Sequence, residues 1–192
     1  MFVGPRMKRD LVTVTPGATL EEAARLLTAH RIHHLPVVVE GNRLAGILSD
    51  TDLRNATLDG IADAADRGDS GRPVTVGEIM TRELVTLSPG DTLDDAMLVL
   101  SRQRIGALPV VEGDRLVGIV TKADILSALL STLDIEGLGV RIEVVLRRDV
   151  KEVARLVAAL ADLDVEVRSL VLALHGTDRY AAFVREIGRA HV

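Results

Sequence analysis

The stretch LPVVEGDRLVGIVTKAD, residues 108–124, decides how the chain is organised. Two short apolar runs flank Glu112-Gly113-Asp114, a composition typical of a tight hairpin turn. The second run ends at Thr121, whose hydroxyl can cap the next helix, and the free N–H groups of a helix start favour an anion such as phosphate. Asp124 lies one turn further on, where a carboxylate can accept hydrogen bonds from a vicinal diol. The alternative is that both residues form only a helix cap with a favourable charge.

The composition limits the class of protein and the kinds of site that the chain can form. With 192 residues, 47% of them hydrophobic, the chain can bury one good core or two small ones. It has no cysteine, which excludes disulfides, thiolate metal sites and cysteine catalysis. A net charge of -5 and 2% aromatic residues argue against nucleic acid as a partner. Neither a signal peptide nor a bilayer-spanning apolar run is evident, so we expect a cytoplasmic protein without a membrane partner.

The stretch occurs twice, which identifies the chain as a repeat. Residues 7–23 align with residues 80–96, and residues 32–38 align with residues 105–111, both at a spacing of 73. Residues 43–53 then align with residues 115–125 at a spacing of 72, so one residue is lost in the hairpin turn, where loops tolerate a deletion. Because helix caps are common but a repeated cap in this context is not, the repetition favours two binding sites.

Each repeat predicts a β-α-β-β-α unit. Residues 12–15 form a short strand, Thr19 caps a helix, Pro36 opens the second strand, and a last helix follows Ser49. The helix has an apolar stripe of Leu20, Ala23, Ala24, Leu26 and Leu27. One unit has a small core, so we expect the two copies to pack their sheets face to face. The predicted divisions are 1–58, a polar linker at 59–73, 74–133, and a last domain at 138–192.

The repeat resembles a cystathionine-β-synthase (CBS) domain, and the tandem resembles a Bateman module. The resemblance rests on the Pro-x-x-Thr-Leu start, the Pro before the second strand, and the Gly-Ile-(Val/Leu)-(Thr/Ser)-x-x-Asp ending, each present twice. It implies an α/β (α+β) fold and a regulatory protein that binds AMP, ADP, ATP or S-adenosylmethionine. Such a ligand is regulatory, and no cofactor is required.

The resemblance also assigns residues of both repeats to the parts of such a ligand. It implies that the hydroxyls at the helix starts, Ser49 and Thr121, face phosphate. The carboxylates three positions later, Asp52 and Asp124, take the ribose hydroxyls. The backbone around Thr15 and Ser88, at the end of the first predicted strand, holds adenine.

The two predicted sites differ in charge. The second site keeps Gly106 before Ala107 and Pro109, and Lys122 stands beside Thr121 as a positive charge suited to phosphate. We therefore expect it to gain affinity with added phosphates.

In the first site, which includes Pro36, the charges are reversed. His33 replaces the glycine and Asp50 replaces the lysine, so only imidazoles, His33 and His34, can attract an anion, and more strongly when protonated. We expect it to prefer a less anionic adenosine derivative near neutral pH. The helical spacing of His30, His33 and His34 invites a metal hypothesis, which is disfavoured because the helix should end near Arg31. A merely structural polar cluster is the other alternative.

The last domain predicts the order β-α-β-β. A strand covers 140–146, Asp149 caps a helix that buries Val153, Leu156, Val157 and Leu160, and a hairpin joins 165–174 to 180–187 around residues 175–178. This order resembles the opening of an ACT domain, as in acetoin-utilisation-type proteins with a CBS pair. The effector-loop glycine and a second helix and strand are missing, so we expect the open sheet edge to support a homodimer or higher homo-oligomer.

The chain shows no catalytic motif of the phosphate-loop, H-E-x-x-H or G-x-S-x-G type. We therefore expect a binding protein, possessing no catalytic residues, that acts on a regulated enzyme. Two alternatives remain open: a structural dimerisation module with vestigial nucleotide sites, and an amino-acid sensor that uses the ACT-like segment.

Overall fold

The computed structural model describes residues 1–58, 73–135, 137, 139–163 and 165–187. The chain divides into two units, Met1–Ile125 and Leu126–Val192. The predicted linker lies outside the described residues except for Pro73, so the predicted boundaries at 58 and 74 stay predictions. None of the described helices is long and apolar enough to cross a membrane.

The elements follow the predicted order, except that the first strand of each repeat does not form as a strand and Val76–Ile79 forms an additional short helix. The helices are α1 Leu20–His30, α2 Asp50–Leu58, α3 Val76–Ile79, α4 Leu93–Arg102, α5 Lys122–Thr132 and α6 Val150–Asp162. The strands are β1 His34–Val39, β2 Arg43–Ser49, β3 Ala107–Glu112, β4 Arg115–Thr121, β5 Val140–Arg147, β6 Glu166–His175 and β7 Arg179–Ile187.

The predicted caps fix the ends of α1. The Thr19 hydroxyl accepts a hydrogen bond from the Glu22 N–H at 3.2 Å, and Arg31 ends the helix in the left-handed region at φ 51°. Ala23 and Leu27 of the predicted stripe are buried, but Ala24 is exposed, so the buried face is narrower than the stripe. Ala24 directly follows Ala23 and therefore points about 100° away from the buried face.

The two hairpins form as predicted and differ in their turns. Gly113 adopts φ 66° between β3 and β4, and Gly41 adopts φ 75° in the first repeat, whose turn is one residue longer and includes the short 3-10 segment Glu40–Asn42. Pro36 lies two residues inside β1 rather than at its start, on a strand at the edge of the sheet. The strand predicted at 12–15 is reduced to one parallel bridge, between Val14 and Val37.

The sheets of the two repeats meet edge to edge. The strand order is β1-β2-β4-β3, and β2 pairs with β4 through Arg43 and Arg115. The Asn42 side chain reinforces this junction by donating a hydrogen bond to the Leu116 carbonyl at 2.7 Å. Hydrogen bonding thus joins the hairpins at their edges, in place of the predicted face-to-face packing.

The first residues of each repeat, with those just before them, pair with the other repeat. We call residues 1–9 and 73–82 the entry segments. Lys8 forms an antiparallel bridge with Ile119 of β4, and Thr81 forms the equivalent bridge with Ile47 of β2. Val76 and Met80 are buried in the core of the first repeat, with Leu35 and Leu48 among others. The entry segments are therefore exchanged between the repeats.

Two glycines permit the exchange. A Cβ added at Gly46 lies 2.6 Å from Met80 Sδ and 2.9 Å from the Thr81 carbonyl oxygen. A Cβ added at Gly118 lies 2.5 Å from Met7 Sδ and 3.2 Å from the Lys8 carbonyl oxygen. Because neither glycine has a positive φ, close approach and not backbone conformation requires them.

The second unit contains a three-stranded antiparallel sheet of order β5-β7-β6. Asp149 caps α6 by accepting a hydrogen bond from the Lys151 N–H at 2.9 Å, and Gly176 turns the hairpin at φ 71°. These elements confirm the predicted order β-α-β-β. Leu160 is buried, but Val157 is 48% exposed, so its predicted burial is wrong.

Candidate functional site

Two cavities lie at the ends of the hairpins in the first unit. Cavity A has a volume of about 520 Å³ and cavity B about 450 Å³, within the range of small-molecule sites. Cavity A is lined by Lys8, Asp10, Leu11, Val12, Arg31, Ile32, His33, His34, Pro36, Gly106, Ile119, Thr121, Lys122 and Ala123. Cavity B is lined by His34, Ile47, Ser49, Asp50, Thr51, Asp52, Thr81, Glu83, Leu84, Val85, Gln103, Arg104, Ile105, Gly106, Ala107, Pro109 and Lys122.

Each cavity combines residues of both repeats. Thr121 lies with His33 and Pro36 in cavity A, whereas Ser49 and Asp52 lie with residues 103–107 in cavity B. Each predicted site drew its residues from a single repeat, whereas the cavities combine residues of the two. The physical reason is the exchange of the entry segments, because each bridge carries the following segment onto the other repeat's second strand.

In cavity A, Thr121 and Asp124 form a reciprocal cap at the start of α5. Asp124 Oδ2 accepts hydrogen bonds from the Thr121 N–H at 2.9 Å and from its hydroxyl at 2.6 Å. The Asp124 N–H donates to Thr121 Oγ1 at 3.2 Å. Asp124 Oδ1 lies 3.4 Å from Lys8 Nζ, and Asp124 does not line the cavity itself. The carboxylate therefore stands behind Thr121, held by a lysine that does line cavity A.

In cavity B, Ser49 and Asp52 form the same cap at the start of α2. Asp52 Oδ2 accepts hydrogen bonds from the Ser49 N–H and hydroxyl, both at 2.7 Å. Unlike Asp124, Asp52 lines its cavity. Each cavity thus places a helix N-terminus and a hydroxyl residue at its wall, and such N-termini attract anions.

The His33 imidazole hydrogen-bonds to Asp50 at the start of α2. His33 Nδ1 lies 3.1 Å from Asp50 Oδ2, and Arg54 Nη1 lies 3.4 Å from the same oxygen. Partial burial raises the pKa of Asp50, but the His33 hydrogen bond and the Arg54 charge outweigh it, so the pKa is lowered. His33 was predicted to compensate Asp50 toward an anion in the Ser49 site. His33 contacts Asp50 directly but lines cavity A and not cavity B, so its role toward an anion at the Ser49 site stays a prediction.

His34 lies between the cavities and lines both of them. A Cβ added at Gly106 lies 2.6 Å from His34 Nε2, so the imidazole occupies the space that a side chain at 106 needs. Burial lowers the pKa of His34, and the opposing charge of Asp50 does not restore it. His34 is therefore a neutral donor or acceptor near pH 7.

The other predicted site residues have different surroundings. Ala107 and Pro109 are buried in the wall of cavity B, but neither Thr15 nor Ser88 lines either cavity. The Thr15 carbonyl caps the turn before α1 by accepting from Ala18, and the Ser88 N–H donates to Asp91. The backbone that lines the cavities comes earlier, at residues 10–12 and 83–85. The helix ends at His30 and β1 begins at His34, so the three histidines do not continue one helical face.

Sequence reasoning missed several lining residues, chiefly Lys8, Asp10, Glu83 and the pair Arg31 and Arg104. A signal was available for the pair. The two arginines are 73 residues apart, which is the spacing of the repeat, and both adopt a positive φ, 51° and 57°. Each lines a different cavity. Formal charges give cavity A three cations, Lys8, Arg31 and Lys122, against the single carboxylate of Asp10.

The repeated unit, the exchanged entry segments and the paired cavities define a tandem small-molecule-binding module. The chain matches the family described as CBS domain over residues 3–59 and 76–131. It therefore belongs to the CBS-domain family, with the two matches forming the CBS pair.

Comparisons with known proteins agree with this assignment. The chain is 36% identical over 119 residues to CBS domain-containing protein YhcV of Bacillus subtilis, covering 62% of this chain and 79% of that protein. The CBS domain pair of protein MJ0100, in complex with 5-methylthioadenosine and S-adenosyl-L-methionine, has a TM-score of 0.58 at 30% identity, covering 67% and 99% of the two chains.

Two further structures extend the comparison. CBSX2 in complex with AMP has a TM-score of 0.59 at 28% identity, covering 68% of this chain and 96% of that chain. A putative acetoin utilization protein (AcuB) from Vibrio cholerae has a TM-score of 0.62 at 28% identity, covering 72% and 98%.

Some relatives are much longer enzymes. The chain is 34% identical over 132 residues to homoserine O-acetyltransferase of Methanohalophilus mahii, covering 68% of this chain but only 24% of that protein. CBS pairs are generally regulatory rather than catalytic parts of proteins, and the match to this enzyme covers a minor share of it.

Proposed function

We propose that this protein is a regulatory sensor that binds adenosine-containing ligands, AMP, ADP, ATP or S-adenosylmethionine, in cavities A and B. One observation carries the proposal: each cavity has a helix N-terminus capped by a hydroxyl residue and a carboxylate at its wall. A phosphate favours such a helix start. CBS pairs of similar structure carry AMP, or methylthioadenosine and S-adenosylmethionine, in their crystals.

The ribose contacts differ between the cavities. In cavity B, Asp52 uses one oxygen for its cap and lines the cavity, so we infer that its other oxygen accepts from ribose hydroxyls. In cavity A, Asp124 is paired with Lys8, so the ligand must displace the lysine to reach the carboxylate. Lys8 then becomes free to contact phosphate. This supports roles for both aspartates, with Asp52 the more direct.

The charges favour different ligands. Cavity A has an excess of cations and suits ADP or ATP over AMP. Cavity B has three carboxylates, Asp50, Asp52 and Glu83, against Arg104 and Lys122, and suits a less anionic or cationic adenosyl compound.

Calorimetry with AMP, ATP and S-adenosylmethionine tests the proposal. We expect the wild type to bind at two sites and Asp52→Ala to lose about tenfold or more in affinity at one of them, since a charged hydrogen bond contributes about 1.5–3 kcal/mol. Asp124→Ala is expected to weaken the other site.

Asp95→Ala is the matched control. Asp95 caps α4 through the same two hydrogen bonds with the hydroxyl of the cap residue, Thr92, and it lines neither cavity. All three variants lose a cap, at a cost of about 1 kcal/mol in stability, but only Asp95→Ala should keep wild-type affinity. No heat with any adenosine ligand contradicts the proposal and favours a structural module with vestigial sites.

We also propose that the second unit is an ACT-like segment through which a second copy of the chain binds. The order β5-β7-β6 leaves the edges of β5 and β6 free within the described residues. Leu170, Leu172 and Leu174 share one face of β6 and are 36%, 41% and 65% exposed. Such apolar area suits a homodimer interface or a higher assembly.

Light scattering tests this assembly. Leu172→Lys should shift the protein toward monomer, whereas Leu58→Lys, at an 83% exposed position in α2, should not. A wild-type monomer at high concentration contradicts the proposal. Amino-acid sensing by this segment is the remaining alternative, and heat on adding amino acids, with none on adding nucleotides, favours it. The regulated partner is proposed to be an enzyme.

A further inference from the structure

Three residues belong to the walls of both cavities: His34, Gly106 and Lys122. We call them the septum. His34 begins β1 in the first repeat, and the other two residues flank the β3-β4 hairpin of the second repeat. The septum therefore contains residues of both repeats, and whatever binds on one side faces the same three residues as whatever binds on the other.

The septum is tied together by packing and by a backbone hydrogen bond. The His34 imidazole lies against Gly106, where an added Cβ meets Nε2 at 2.6 Å and Cε1 at 2.7 Å. The Lys122 N–H donates to the Gly106 carbonyl at 3.1 Å. The main chain of Lys122 is thus fixed beside the imidazole, while its side chain is exposed.

Lys122 supplies the permanent positive charge of the septum, since His34 is neutral near pH 7. Within the part of the chain that the structure describes, its ammonium has no ion pair, in contrast to Lys8, which is paired with Asp124. A lysine has a flexible four-carbon stem and a compact charge. The Lys122 ammonium can therefore turn toward either cavity, but it can form a close ionic contact with only one phosphate at a time.

We propose that Lys122 is an anion-binding residue shared by cavities A and B, so that a phosphate ligand in one cavity weakens phosphate binding in the other. This rests on the proposed function. By linkage the weakening is reciprocal, and an uncharged adenosyl ligand does not compete for the ammonium. The pair therefore favours one anionic and one uncharged or cationic adenosyl ligand over two anionic ones.

Site-resolved NMR titration of the full chain with AMP at low ionic strength tests the coupling. The backbone amides of Arg31 and Arg104 report separately on cavities A and B, because each residue lines only one of them. In the wild type we expect filling of one cavity to weaken the other about fivefold, near the lower end of typical coupling factors because Lys122 is exposed. Lys122→Met should weaken both cavities and reduce the coupling to below about twofold.

Arg31→Met is the matched control. It removes one cation from cavity A alone, so it should weaken only that cavity and keep the fivefold coupling. If Lys122→Met keeps the coupling, direct repulsion between ligands explains it and the inference is overturned. Independent cavities in the wild type overturn it as well. If AMP binds to neither cavity, the proposed function fails first and the inference fails with it.

Discussion

The partly buried imidazole of His34 makes the free energy of unfolding depend on pH. Burial lowers its pKa, whereas in the unfolded chain an imidazole has a pKa of about 6.5. The unfolded chain therefore binds the proton more readily than the folded one. The His34 contribution to stability is full above the unfolded pKa and is lost as the pH falls through it toward the folded pKa.

We accordingly expect the free energy of unfolding of the wild type to fall between about pH 7.5 and 5.5. His34→Gln should show a shallower fall, because glutamine cannot take up the proton. Urea denaturation at each pH measures the free energy of unfolding of the wild type and of the variant. His30→Gln, at the exposed last residue of α1, should keep the wild-type slope. A slope in His34→Gln equal to that of the wild type contradicts the account.

Residue-scale features that depend on near neighbours were predictable from sequence. Thr19 and Asp149 cap the helices that they precede, and Gly113 and Gly176 turn their hairpins, because caps and turns need only a few adjacent residues. The position of Thr15 outside the cavities was not predictable. It depends on where residues 10–12 are carried by the bridge from Lys8 to Ile119.

At the scale of the element, the approach of each entry segment to a strand is the feature on which both cavities depend. The sequence shows a glycine in each Gly-Ile-(Val/Leu) strand ending, but it does not show why glycine is required there. Only the structure brings Met80 against Gly46 and Met7 against Gly118. A side chain at either glycine must push an entry segment away from its strand.

Gly46→Ala and Gly118→Ala should each destabilise the first unit by about 1–3 kcal/mol, the typical cost of overpacking. We expect Gly46→Ala to cost more, because the added Cβ meets the Thr81 backbone at 2.9 Å, against 3.2 Å to the Lys8 backbone at Gly118. Chemical denaturation measures the loss.

Gly17→Ala provides the comparison. An added Cβ there meets nothing within 4 Å, and Gly17 has no positive φ. Its stability should stay within about 0.5 kcal/mol of the wild type or rise slightly. Equal losses in all three variants show that chain entropy, and not close approach, explains the glycines at 46 and 118.

At the scale of the whole molecule, the repeat predicts two equivalent units but not how they share residues. A spacing of 73 establishes which positions correspond, such as Arg31 and Arg104. The spacing does not show which residues of the two repeats lie close together in the fold. That proximity depends on the long-range pairing of Lys8 with β4 and of Thr81 with β2. The sequence therefore predicts two sites of unequal charge. In the structure, each cavity is lined by residues of both repeats.

Arg31 and Arg104 distinguish cavities with exchanged walls from sites built within one repeat. In an Asp52→Ala background, the remaining ATP site is cavity A, whose wall contains Arg31 and Thr121. Calorimetry should show that Arg31→Met weakens this remaining site by up to about fivefold, as expected for an exposed charge, whereas Arg104→Met leaves it unchanged. If instead Arg104→Met weakens it and Arg31→Met does not, each site is built within one repeat and the account is wrong.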